Sequence, residues 1–145
     1  MAQFRRLSDT MLASPQISVA DVSDALAQSV TLIINNRPEG ESDDQVPGPQ
    51  IEAAARAAGI DYVAIPITHS GFSAPQVDAM AEALARASGQ VLGYCRSGTR
   101  STLLWALAQA KAGESPDAIA AAAADAGYDV SPIRSAMDAL AGAAH

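Results

Sequence analysis

Cys95 and Arg100 stand five positions apart in the run Tyr94-Cys95-Arg96-Ser97-Gly98-Thr99-Arg100-Ser101, with Gly98 between them. Val91 to Tyr94 before this run reads as a short buried strand. The apolar residues after it read as a helix. A tight loop at a helix N-terminus turns successive backbone N–H groups inward and forms a nest for an anion. That field, with Arg96 and Arg100 beside it, favours the thiolate form of Cys95. A thiolate at the floor of an anion cradle is a nucleophile aimed at a small anionic substrate. The plainer alternative for a single cysteine at a strand end is a small buried hydrophobe. The flanking glycine and arginines weigh against it.

Composition sharpens this reading. Basic residues are scarce, 9 against 16 acidic, and the formal charge is −7. Such a balance argues against general nucleic-acid binding and against an anionic membrane surface. It also makes the grouping of Arg96 and Arg100, with Arg37 on another loop, more informative. One cysteine excludes a disulfide framework and a multi-cysteine metal site. It further means that any covalent intermediate on Cys95 must be discharged by an outside molecule. The acidic residues show no metal-ligand spacing, and no cofactor is implied. The first ten residues lack the apolar stretch of a secretory signal. No apolar run approaches the ~20 residues that span a bilayer. A cytoplasmic location is the expectation.

The elements that must position the cysteine follow from pattern and punctuation. Residues 1–14 read as an irregular lead-in, and 16–18 as a short extended piece. Ser18 with Asp21 forms a capping-box pattern before a helix over 19–28. Residues 30–35 are β-branched and apolar on both faces, as in a buried parallel strand. A polar loop, 36–44, follows at its carboxyl end. A second helix starts near Gly48-Pro49 and stops at Gly59. Residues 62–67 form the next strand, with Pro66 marking an edge or the end of its pairing. After Thr68-His69-Ser70-Gly71-Phe72 comes a helix over 73–88, capped by Ser73 and Gln76. Beyond Cys95 only helices are expected, over 101–112, from 115–116 to Gly127, and from 131–132 onward. The whole, residues 1–145, reads as one α/β domain: a mostly parallel sheet of about four strands flanked by helices. Ligands of such sheets bind beyond the strands' carboxyl ends. The loops carrying Arg37, His69 and Cys95 all lie there.

The cysteine loop resembles two enzyme families. Its C-x4-R spacing is similar to single-domain rhodaneses, which carry sulfane sulfur on a cysteine. The order of elements, with helices alone after the loop, resembles the protein-tyrosine-phosphatase-like fold of dual-specificity phosphatases. Ser14-Pro15-Gln16-Ile17, the loop Arg37-Pro38-Glu39-Gly40-Glu41 and the run from Cys95 to Trp105 together resemble the beta-lactamase-hydrolase-like, phosphatase-like domain family. Its members are described as phosphatases or as sulfurtransferases.

Phosphatases of this fold use C-x5-R with a histidine before the cysteine; here the loop is one residue shorter and Tyr94 precedes it. The aspartate that supplies a proton to the leaving group is replaced at the matching position by His69. A tighter ring of donors, and sulfur chemistry that expels sulfite or a thiolate without much acid help, favour a sulfurtransferase. In that expectation Cys95 carries a persulfide taken from thiosulfate or a small persulfide and passes it to an external thiol acceptor. Arg100 and Arg96 hold the donor, the amides of Arg96, Ser97, Gly98, Thr99 and Arg100 steady the sulfur, and Ser101 hydrogen-bonds it. The alternatives are a phosphatase acting on a phosphate ester through a Cys95 phosphocysteine, and a non-catalytic anion-binding or partner-binding domain.

Two residues keep two readings. Arg37 either contacts substrate or pairs with Glu39 or Glu41 to fix its loop. His69 is either an acid or a hydrogen-bonding residue at a loop tip. Leu104 and Trp105 read as core, Asp43 and Asp44 as a solvated face, and His145 as a residue without a role.

Overall fold

The structure, a computed structural model, describes residues 3–144; His145 lies outside them. Five strands form one sheet: β1 (Arg5–Arg6), β2 (Met11–Ser14), β3 (Val30–Asn35), β4 (Asp61–Ala64) and β5 (Gln90–Tyr94). Their order is β1-β2-β5-β3-β4, with β1 antiparallel to β2 and every other pair parallel. The helices are α1 (Asp21–Ala27), α2 (Gly48–Ala57), α3 (Ala74–Arg86), α4 (Thr99–Lys111), α5 (Pro116–Asp125) and α6 (Arg134–Ala143). As expected, helices alone follow β5. Among the described residues no helix is long and apolar enough to cross a membrane.

The N-terminal segment departs from the expectation of an irregular lead-in. Met11–Ser14 is a fully buried strand paired in parallel with β5, from Met11 opposite Val91 to Ser14 opposite Tyr94. A four-residue strand buried on both faces shows no alternation, and its short Met-Leu-Ala-Ser run has little β-propensity of its own. Its partner decides its conformation. The extended piece expected at 16–18 joins no strand; the chain bends at Gln16, whose N–H donates to the Arg96 carbonyl at 3.3 Å. The strand expected over 62–67 spans Asp61–Ala64, with Pro66 just beyond it on the open edge of the sheet. Ile65 and Ile67 still donate to the Asn35 and Asn36 carbonyls, at 2.9 and 3.0 Å.

Alternation along the strands divides the core in two. Met11, Ala13, Ile34 and Val91 pack with α3, α4, α5 and α6. Leu12, Ile33, Leu92 and Tyr94 pack with Val22 and Ala25 of α1 and Ile51 and Ala55 of α2. Helix α4 is buried almost all round, including Leu104 and Trp105, as befits a helix enclosed by other layers. Its first turn comes close to β5 at Gly93. A Cβ there would stand 2.9 Å from the Met11 methyl and 3.3 Å from Ser101 Cβ. Glycine at this point lets the start of α4 sit directly on the strand that carries the cysteine.

Candidate active site

Strand β5 ends at Tyr94, whose carbonyl accepts from Asn36 N–H at 2.8 Å. The Tyr94 side chain falls on the α2 side of the sheet, buried with Leu12, Ile33 and Ile51. Burial pushes its hydroxyl far above the ordinary tyrosine range. It therefore has no part in the anion nest on the other side. Cys95 follows, anchored by its N–H to the Ser14 carbonyl and fully buried. The chain then folds back through Ser97 and Gly98. The Gly98 N–H donates to Cys95 Sγ at 3.1 Å. Gly98 has φ of 92°, in the left-handed region, and caps α4, which begins at Thr99. The cysteine sulfur therefore lies inside a loop that closes on it at a helix N-terminus.

Arg100 is the second component. Its Nη1 donates to Glu41 Oε2 at 2.7 Å and to the Ile67 carbonyl at 2.8 Å, and its Nη2 donates to Glu41 Oε1 at 2.8 Å. A guanidinium has five N–H groups. These three bonds leave the Nε–H and one Nη2–H, which lie along one edge of the plane. Arg100 also interacts with the Cys95 sulfur, and Glu41 raises its already high pKa. Glu41 thus holds the arginine by one edge, with the guanidinium beside the cysteine sulfur.

The same carboxylate joins the third loop. Arg37 Nε donates to Glu41 Oε1 at 2.9 Å, Arg37 Nη1 to Gln16 Oε1 at 3.0 Å, and Arg37 Nη2 to Ser42 Oγ at 2.9 Å. Of its two readings, Arg37 adopts the pairing with Glu41, and its side chain is 4% exposed. Arg100, first, and Arg37 together hold the Glu41 carboxyl down to about 2 against the ordinary 4.5. Glu41 was not singled out as a site residue from sequence. The signal available was a glutamate in a loop opened by Arg37, in a chain where arginines are few.

Ser101 was expected to hydrogen-bond the sulfur. Its Oγ instead donates to Asn36 Oδ1 at 2.7 Å, while Asn36 Nδ2 donates to the Ile65 carbonyl at 2.9 Å. Asn36 therefore ties the catalytic helix to the β4 side of the sheet from a fully buried position. Asn36→Ala, which strands the Ser101 hydroxyl and the Ile65 carbonyl, should cost about 2–3 kcal/mol. The check is a urea midpoint shift at unchanged slope; a change within experimental error would show that other groups satisfy both atoms.

The remaining expected residues lie at the rim. Arg96, Ser97 and Thr99 are exposed, and the Ser97 hydroxyl donates to Thr99 Oγ1 at 3.0 Å. His69 is exposed on the loop after β4. Two residues before it, the Ile67 carbonyl takes an Arg100 N–H, which brings the His69 loop to the site. The loops of Arg37, His69 and Cys95 do converge. Among the described residues no group of three or more His, Cys, Asp or Glu side chains could hold a metal ion.

Residues 3–112 match the family described as "Beta-lactamase hydrolase-like protein, phosphatase-like domain". A beta-lactamase hydrolase-like protein of Agrobacterium fabrum is 34% identical over 105 residues, which are 72% of this chain and 24% of that protein. The chain thus spans only a minor part of that relative's length. The crystal structure of a phosphatase candidate from Neisseria meningitidis superposes with a TM-score of 0.82 at 30% identity, covering 94% of this chain and 96% of that one. P. aeruginosa TpbA in complex with pTyr superposes at 0.68, with 18% identity over 99% of this chain and 94% of its own, and shows the shared fold alone.

These findings overturn the sulfurtransferase expectation. The matching family and the structural relatives are phosphatase-like, and none points to thiosulfate, a persulfide or an external thiol acceptor. The sulfurtransferase expectation rests in part on a short loop being less able to wrap a tetrahedral phosphoryl group. In the structure the C-x4-R loop closes an amide on the sulfur, with the Arg100 guanidinium held beside it by Glu41. The chain belongs to the phosphatase-like domain family of the beta-lactamase hydrolase-like proteins.

Proposed function

We propose that this chain is a cysteine-dependent phosphatase acting on phosphate monoesters. The observation that carries this reading is a cysteine sulfur accepting a loop amide beside an arginine that one carboxylate clamps and that also reaches the sulfur. The phosphotyrosine bound by the TpbA relative supports an aryl ester as the first substrate to try.

The Cys95 thiolate attacks phosphorus, forming an S–P bond as the P–O bond to the leaving alcohol breaks. The Nε–H and remaining Nη2–H of Arg100 turn to two phosphoryl oxygens, and loop amides hold the rest of the charge. A proton reaches the leaving oxygen from His69, carried on the loop that Ile67 ties to Arg100. Water then attacks the phosphocysteine, returning a proton to His69 as the P–S bond breaks, which releases inorganic phosphate and regenerates the thiolate. Arg37 acts through Glu41 rather than on the ester. Arg96, Ser97 and Thr99 at the rim are the side chains that meet the alcohol portion.

The test is phosphate release from p-nitrophenyl phosphate and from a phosphotyrosine peptide, with inorganic phosphate as competitor. Turnover that saturates and is inhibited by phosphate supports the reading. Phosphate binding without turnover of either ester would overturn it in favour of a non-catalytic anion-binding domain.

A further inference from the structure

We propose that Tyr128 is a positioning residue for the Cys95 nucleophile, acting through the Ser97–Gly98 peptide; this rests on Cys95 being the nucleophile. A trans peptide is planar, so its C=O and N–H point in opposite directions. On one side of this peptide, the Ser97 carbonyl accepts from the Tyr128 hydroxyl at 3.2 Å. On the other side, the Gly98 N–H donates to Cys95 Sγ at 3.1 Å. One rigid unit therefore links the phenol to the sulfur. Rotation of this peptide would break both bonds together.

Gly98 makes this arrangement possible. A Cβ at that position would collide with the Tyr128 hydroxyl, and the residue's φ of 92° suits glycine. Tyr128 is itself placed from two directions. Its N–H donates to the Ala123 carbonyl at 2.9 Å, continuing the end of α5. From β1, Arg5 Cζ lies 5.6 Å from the ring centroid, and Arg5 Nη1 donates to the Ala126 carbonyl at 2.9 Å. The family match ends at residue 112, so Tyr128 belongs to a part of the chain that the shared family pattern does not cover. The sequence offers no sign of this role.

The titratable groups interacting with the sulfur are Arg100, with Glu41 behind it, and Tyr128. Burial holds the Tyr128 phenol above its ordinary range, so it remains a hydrogen-bond donor throughout the pH range in which a thiol ionises.

Tyr128→Phe keeps the ring and removes the hydroxyl. Because Cys95 is the only cysteine, the rate of iodoacetamide alkylation against pH reads its thiolate directly, with no need for turnover. The half-maximal pH of alkylation should rise by on the order of half a unit in Tyr128→Phe, and kcat on p-nitrophenyl phosphate should fall roughly three- to tenfold with KM little changed. Arg5→Gln, which loosens the ring but keeps the hydroxyl, should move the alkylation profile in the same direction by less. An alkylation profile superimposable on wild type in Tyr128→Phe would overturn the proposal, even if the melting temperature fell. A displaced profile in a protein that turns over no ester would support it while the phosphatase reading failed.

Discussion

Cys95→Ser is expected to lower kcat on p-nitrophenyl phosphate by at least ~10³-fold while leaving the protein folded. Sulfur is the stronger nucleophile because a thiol gives up its proton far more readily than an alcohol. The fold should tolerate the change. Cys95 is fully buried, and serine is smaller but can accept the same Gly98 N–H. The stability change should stay within about 1 kcal/mol. Residual turnover within tenfold of wild type, from protein free of contaminating phosphatase, would remove Cys95 from the chemistry.

The second large effect is expected at Glu41. Its carboxylate is the sole described link between the loop of Arg37 and the guanidinium of Arg100. Glu41→Gln leaves two arginines facing each other without their shared counter-charge and frees Arg100 to rotate. The ratio kcat/KM should fall about 10²-fold, because the edge that holds the phosphoryl oxygens is no longer fixed. Stability should fall too. A carboxyl held at about 2 rather than 4.5 corresponds to about 3 kcal/mol of favourable interaction in the folded state.

The sign of its pH dependence follows. A folded-state value below the unfolded one gives stability that is fully present above about 4.5 and is lost as pH falls toward about 2. The stability gap between wild type and Glu41→Gln should therefore be constant near neutrality and close progressively in acid. Denaturation midpoints of both proteins along a pH series measure this. A gap that stays constant below 4.5 would mean that the carboxylate's charge contributes little.

The parts of this molecule that were legible in sequence are those where local pattern and tertiary role coincide. The run 30–35 could be read as a buried strand because it is apolar on both faces. The Ser73 and Gln76 box could be read as a helix start because capping is local chemistry, and the structure forms it. The cysteine loop was legible because a lone cysteine, a glycine and an arginine in tight spacing have few structural uses.

What was hidden depends on residues distant in sequence. Met11–Ser14 becomes a strand only when β5 lies beside it. Asn36 had no visible role until Ser101, 65 positions away, arrived to donate to it. Glu41 resembled any exposed acid until Arg100 folded onto it across 59 positions. The function was misjudged for a related reason. Loop length along the chain does not determine what the loop holds, because the placement of Arg100 depends on Glu41 from another loop.

The most direct test of Cys95 as a phosphoryl acceptor is to mix the protein with excess p-nitrophenyl phosphate, quench in acid within one turnover and weigh the intact chain. A species heavier by one phosphoryl group, mapped to Cys95 and absent from Cys95→Ser, is the expected result. Rapid ester hydrolysis with unmodified Cys95 at every quench time, or the phosphoryl group found on another residue, would contradict it.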